Sequence, residues 1–236
     1  MNVTFSTFDE WLGHVFGPPE SKAAWYWDVN APYWDSGADP HQAVEFLTTL
    51  FSNPSILIGR YSASQIGVGI EYLISPSASD HAFALLNNRV PIERRLACLR
   101  HIATLYSELF ACICPVHYGH MDDGPEPLNG ASAVCYMFWD VFPMFDRTKN
   151  DLVRDDADVR NHLHEHVAIE DACLIAMDRT LLLDHPACQE GALHGLGHWA
   201  HGYSERVDRI INEFLKRDIT DEIRQYASNA RTGCIL

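Results

Sequence analysis

Basic side chains are scarce in this chain: 17 lysines and arginines stand against 32 aspartates and glutamates, for a formal charge of −15. Such a field repels nucleic-acid phosphates and anionic membrane surfaces. The one basic cluster, Arg94, Arg95 and Arg100, is small and isolated, so neither nucleic acid nor membrane is expected as a partner. Nor does any stretch reach the ~18 uncharged apolar residues that mark a membrane-crossing helix. The N-terminal MNVTFSTFDEWLGHVF has early acids and no basic segment, so it does not read as a signal peptide.

Chemical motifs are missing as well. There is no phosphate-binding loop, dinucleotide glycine fingerprint, GxSxG elbow or EF-hand loop. The seven cysteines include no CxxC pair, and most sit in apolar helical surroundings, where a free thiol behaves as a small hydrophobe. That usage fits a reduced, cytoplasmic protein. Cys234 in TGCIL stands one place short of a prenylation box. Strand signals are confined to SILIGRY at 55–61, which is short.

What remains is a succession of helix signals. Thr7 and Glu10 form a capping box for a helix over about 8–16, stopped at Gly17–Pro18–Pro19. Asp39–Pro40 opens a second helix, and Ser62 with Gln65 caps a third that Pro76 ends. A short helix is expected over Asp80–Leu86. Pro91 then opens the longest apolar repeat, with Leu96, Leu99, Ile102, Leu105, Tyr106 and Leu109 recurring at threes and fours. HYGHMDDGPEPLN at 117–129 is the main loop. SAVCYMFWDVF, apolar nearly all round, is predicted to be a buried central helix. A charged connector leads to a helix over about 158–178. Helices capped by Asp184, Ser204 and Thr220 complete the chain.

These signals predict an all-α fold of stacked antiparallel helix pairs, an α-α superhelix. Residues 1–236 form one domain: an aromatic-rich cap over 1–38, where Trp25, Trp27, Tyr33 and Trp34 plug the core, and a helical-pair array over 39–236. A faint echo links Gln65–Gly67 to Gln189–Gly191; their offset of 124 residues (189 − 65) equals three units of about 41. In this rhythm, over about residues 40–230, the chain resembles HEAT-like or armadillo-like α-solenoids, without any family motif. The resemblance implies a continuous shared core and a concave face of the kind that binds protein.

The densest chemical signal lies in DHPACQEGALHGLGHWAH, 184–201. Glu190, His194, His198 and His201 fall on one stripe of that helix, because spacings of three and four return to the same face. Ala192, Leu196 and Trp199 share another side. Histidines four apart can share a metal, with Glu190 as a third ligand or as the group that orients a ring nitrogen. The zincin pattern needs glutamate after the first histidine, and Gly195 stands there instead. Gly191 and Gly195, one turn apart, point to close helix packing. His162 and His166 share a face that His164 leaves, with Glu165, Glu170 and Asp171 nearby, and His117, His120, Asp122 and Asp123 form a loop cluster.

The function expected from the sequence is macromolecular binding, with no catalytic residues, metal or cofactor assigned. A partly acidic concave surface would hold a protein partner, a basic one by charge, as an immunity or inhibitor protein does. Glu190, His194, His198 and His201 are the expected binding face. The charge supports this unevenly, at about −5 before residue 118 and −10 after it. The alternative is a metal-dependent hydrolase built on the histidine clusters, with His194, His198 and Glu190 as ligands.

Overall fold

The computed structural model describes residues 2–20, 23–117, 129–143 and 157–235, with side chains from 164 onward in the last stretch. All elements found there are helical: α1 (Phe8–Phe16), α2 (Pro40–Ser52), α3 (Ala63–Ile74), α4 (Ile92–Ile113), α5 (Gly130–Val141), α6 (Ala157–Leu181), α7 (Pro186–Trp199), α8 (Ser204–Phe214) and α9 (Asp221–Arg231). The β-like run at 55–61 is a 3-10 turn, Pro54–Leu57, followed by an isolated Ile58–Tyr61 bridge. The short helix expected over 80–86 is likewise a 3-10 turn, Ala82–Leu86.

Local chemistry explains most of the helix starts. Thr7 and Ser62 close capping boxes with Glu10 and Gln65, and Asp39 and Thr220 accept from the first turns of α2 and α9. Asn129, with Ser132, caps α5 two residues earlier than its apolar pattern begins. Two expected caps are corrected. Asp184 does not cap α7: Pro186 takes the first helical position and drives the residue before it to extended backbone, so His185 becomes the N-cap. Ser204 is already helical, and Tyr203 holds the cap position of α8.

Packing follows the chain in two interleaved rows. α2, α4, α6 and α8 contact one another in succession, and so do α3, α5, α7 and α9. The core lies between the rows, where Leu47, Leu99, Leu105, Leu174 and Met177 meet Leu73, Phe138, Leu193, Leu196 and Ile223. α4 is long and apolar enough to cross a membrane by length and composition, although it carries charged residues such as Arg100 and Glu108. It packs against α2 and α6 within this core.

Two observations fix helix directions. Along the α5–α7 contact, Gly191 lies against Cys135, Gly195 against Trp139 and His198 against Asp140, so both helices run the same way. α6 runs opposite to α7, because Tyr203, beyond the end of α7, reaches back to Glu170 in mid-α6.

α5 is held on both sides by glycine. A methyl at Gly67 would overlap the Gly130 carbonyl, and one at Gly191 would overlap the Cys135 carbonyl. The two glycines of the sequence echo are thus the contacts of α3 and α7 with the same helix. Two steps along the row separate them rather than three, with unequal start-to-start spacings of 67 (130 − 63) and 56 (186 − 130) residues. The expectation of a buried central α5 is met, with Ala131, Val134, Cys135, Phe138 and Trp139 buried.

The N-terminal aromatics divide. Trp34 is buried against Phe5, Phe46 and His81, and Trp25 packs on Tyr72 and His14, whereas Trp27 is 59% exposed. His81 is fully buried in this aromatic nest. It accepts from the Trp11 indole at Nε2 (3.0 Å), and its Nδ1 meets the Ser79 hydroxyl (2.8 Å).

Candidate metal centre

The last turns of α5 and α7 end side by side. Asp140 stands one residue before the end of α5, and His194 and His198 share one face of the last two turns of α7. Nε2 of His198 lies 3.1 Å from Nε2 of His194 and 3.1 Å from Oδ1 of Asp140. One donor atom from each residue falls within 4.8 Å of the others, and among the described residues no other group of three or more such donors does so. His194 is buried, while His198 and Asp140 each keep about a third of the side chain exposed, at 35% and 34%. The cluster therefore has a closed floor and an open side.

Two imidazole nitrogens and a carboxylate oxygen within 4.8 Å of one another compete for the one proton that His198 Nε2 can carry. A metal ion serves all three. With metal–nitrogen bonds of about 2.05 Å, ligand atoms 3.1 Å apart subtend ~98°, between octahedral and tetrahedral values. The backbone adds to the pull. Both helices bring their C-terminal ends here, each contributing roughly half a negative charge. A carboxylate in the last turn of α5 is disfavoured by that dipole unless a positive charge sits beside it.

Behind the cluster lies a phenol network. Nδ1 of His194 is 3.0 Å from the Tyr226 hydroxyl of α9, which is 3.2 Å from the Tyr136 hydroxyl of α5. An Nδ1–H donated to Tyr226 leaves Nε2 as the lone-pair nitrogen, the tautomer a metal ligand needs. The Tyr136 ring also packs on His194, with centroids 4.2 Å apart. Burial raises both phenols above their ordinary range; the neighbouring phenol and Glu190 raise Tyr226 further, and the charges of Glu190 and Asp140 add to Tyr136.

His194 and His198 come together as the histidine spacing implied. Glu190 is not in the donor set: helical side chains lean toward the N-terminus, so it sits a turn below His194, buried near Tyr136 and Tyr226. Asp140, on another helix, supplies the carboxylate that sequence reasoning assigned to Glu190. His201 lies beyond the end of α7, which stops at Trp199, and is exposed. The stripe thus runs from the buried Glu190 and His194 to the exposed His201. Of the second cluster, His164 is exposed, Glu165 pairs with Arg95 (2.5 Å), Glu170 accepts from Tyr203 and Asp171 pairs with Arg206 (2.6 Å). The His162 side chain, His120, Asp122 and Asp123 lie outside the described residues. Asp140 had one signal in the sequence, a lone acid at the end of an otherwise apolar helix. Comparisons of the chain with family models, with curated proteins and with solved structures each gave no match.

Proposed function

We propose that this chain binds a divalent transition-metal ion through Asp140, His194 and His198 and uses it as an open, water-activating centre, the chemistry of a metal-dependent hydrolase. The observation that carries the reading is the convergence of two imidazole nitrogens and a carboxylate oxygen beside two helix C-termini. Two histidines and one carboxylate suit zinc or ferrous iron, and three protein ligands with an exposed side leave room for water. When bound, such an ion lowers the pKa of its water toward neutrality. Tyr226 holds His194 in the ligand tautomer, and Glu190 lies behind the phenols.

The test is isothermal titration of tag-free, chelator-stripped protein with zinc, manganese and ferrous iron. One equivalent of at least one ion should bind. Asp140→Ala and His194→Ala should lose it, and His201→Ala should keep it. Hydrolysis of activated ester and phosphodiester substrates should then follow metal loading. Absence of binding by all three ions would sink the reading.

A second reading, the HEAT-like helical-pair superhelix that holds a protein partner, is favoured by one observation. Alternate helices contact in chain order, with α5 and α7 parallel and α6 opposed to α7. The excess acid of the C-terminal half gives that surface a basic partner by charge. Small-angle scattering tests it: a curved, elongated particle supports it, and a spherical one counts against it.

A further inference from the structure

Three cysteines from three helices meet one histidine on the opposite side of the α5–α7 contact from the metal cluster. Cys114 is the C-cap of α4, Cys135 lies in α5, and Cys188 occupies the first turn of α7, whose N-cap is His185. Cys135 lies beside both Cys114 and Cys188, and Cys188 beside His185, close enough for each to shift the other's titration. The Cys188 thiol itself donates to the Tyr106 carbonyl, 3.9 Å away. The Cys135 thiol also points at the Ala187 carbonyl, 3.7 Å away, one residue before Cys188. The thiols of Cys135 and Cys188 are fully buried and Cys114 is 6% exposed.

His185 is the second, independent observation. It is 95% buried (5% exposed), and neither ring nitrogen completes a well-formed hydrogen bond, although the Cys188 thiol and the Cys114 carbonyl face it. A buried imidazole in that state is costly, and pairing as imidazolium with the anion of a neighbouring acid offsets part of that cost. An acid beside it is the thiol of Cys188, at the positive end of α7. The shifts agree in direction. The Cys135 hydrogen bond, then His185, draws the Cys188 thiol below its ordinary range against the effect of burial. His185 is lowered by burial but raised on balance by the Cys188 thiolate and the Cys114 carbonyl.

We infer that Cys135 and Cys188 form a redox-active dithiol that closes to a disulfide between α5 and α7 when a small hydroperoxide reaches it. The Cys188 thiolate attacks the terminal oxygen of the peroxide. The O–O bond breaks, Cys188 becomes a sulfenic acid, and the leaving alkoxide takes the proton held by His185. The Cys135 thiol then attacks the Cys188 sulfur, and water leaves as the S–S bond forms. Two thiols are oxidised, and one hydroperoxide is reduced to an alcohol and water. Close approach of the two helices supplies the geometry, since Gly191, one turn beyond Cys188, lies against the Cys135 carbonyl. The four donors do not gather on one point as the metal cluster does, which favours dithiol chemistry over a closed thiolate metal site. The inference does not depend on the metal reading.

The experiment uses the whole chain, reduced, freed of metal with a chelator and treated with stoichiometric hydrogen peroxide. Alkylation and peptide mapping then locate the products. The expected result is a Cys135–Cys188 linked peptide, with the alkylatable thiols falling by two from seven. Cys112→Ser and Cys234→Ser, both at exposed positions, should retain the link. Cys188→Ser should abolish it. His185→Asn should slow link formation at pH 7 roughly tenfold or more and move its pH profile upward, since an ordinary thiol is only a few per cent ionised there. The wild-type map does not depend on the variants folding. Any other pairing, oxidation confined to Cys112 and Cys234, no oxidation, or an unmoved His185→Asn profile overturns the inference.

Discussion

Lowering the pH from 7 to 5 should destabilise this fold chiefly through His81. The reason is geometric. Its Nε2 accepts from the Trp11 indole, and its Nδ1 meets the Ser79 hydroxyl, which itself donates to the Tyr72 carbonyl at 2.5 Å. Ser79 can therefore only accept from His81, so the proton sits on Nδ1 and the ring is neutral. A second proton would set N–H against N–H at Trp11. Complete burial, with His14 as the next contributor, lowers the His81 pKa to about 3. His14 itself, burial being the cause, is lowered to about 4 and acts in the same direction.

The sign is unambiguous. The unfolded chain protonates His81 near 6.5 and the folded one does not until about 3, so acid favours unfolding between those values. The stability is complete above about 6.5 and is lost progressively below it. At pH 5 the loss from His81 is about 2 kcal/mol, and below pH 3 about 5 kcal/mol, from 1.36 kcal/mol per unit. A domain with 5–15 kcal/mol in hand feels that strongly. The assay is urea unfolding at pH 7 and pH 5 on wild type and His81→Gln, whose amide oxygen can still accept from Trp11. Wild type should lose about 2 kcal/mol more than the variant between the two pH values. Equal losses would refute the reasoning, as would a His81 resonance titrating near 6.5 in the folded protein.

Other expectations follow from the same contacts. Gly191→Ala gains about 1 kcal/mol of helix propensity but collides with the Cys135 backbone, so it should lower stability by about 1–3 kcal/mol net, read from the denaturant midpoint. Tyr226→Phe should weaken metal binding about 10–100-fold while leaving the stoichiometry unchanged, because it removes the partner of His194 Nδ1 and no ligand. Zinc at about a hundred times its dissociation constant should add about 2.7 kcal/mol, a rise of roughly 5–10 °C in Tm, absent in Asp140→Ala. Glu165→Ala leaves the Arg95 guanidinium buried at 1% exposure without its carboxylate, and should cost more than Arg95→Met in the same unfolding assay.

The all-helical architecture was legible because its signals are local. Thr7–Glu10, Ser62–Gln65, Asp39–Pro40 and Thr220 each announce a helix start within four residues. Gly191 and Gly195 announced close packing because their helix-propensity cost needs an offset. Two of the three residues of the candidate cluster were legible for the same reason, as His194 and His198 share one helix. Asp140 was not, because its meeting with them depends on the relative register of two helices 56 residues apart at their starts (186 − 130). The thiol row was hidden likewise: Cys114, Cys135 and Cys188 are spaced too far apart for any sequence motif. Asp184 misled because it is a good cap residue standing one place too early for Pro186.

The glycine contact between α5 and α7 works as a ruler for whatever happens at either end of it. With no side chain interposed at Gly191, the two backbones have no slack, and their register is settled by main-chain atoms rather than by exchangeable rotamers. Asp140 lies on one edge of that ruler and His194 and His198 on the other, while Cys135 and Cys188 mark its opposite end. A buried substitution that shims the helices apart would therefore be heard first at the histidines, as lost metal affinity with every ligand intact. On the proposed metal reading, affinity becomes a gauge of how closely two neighbouring helices fit.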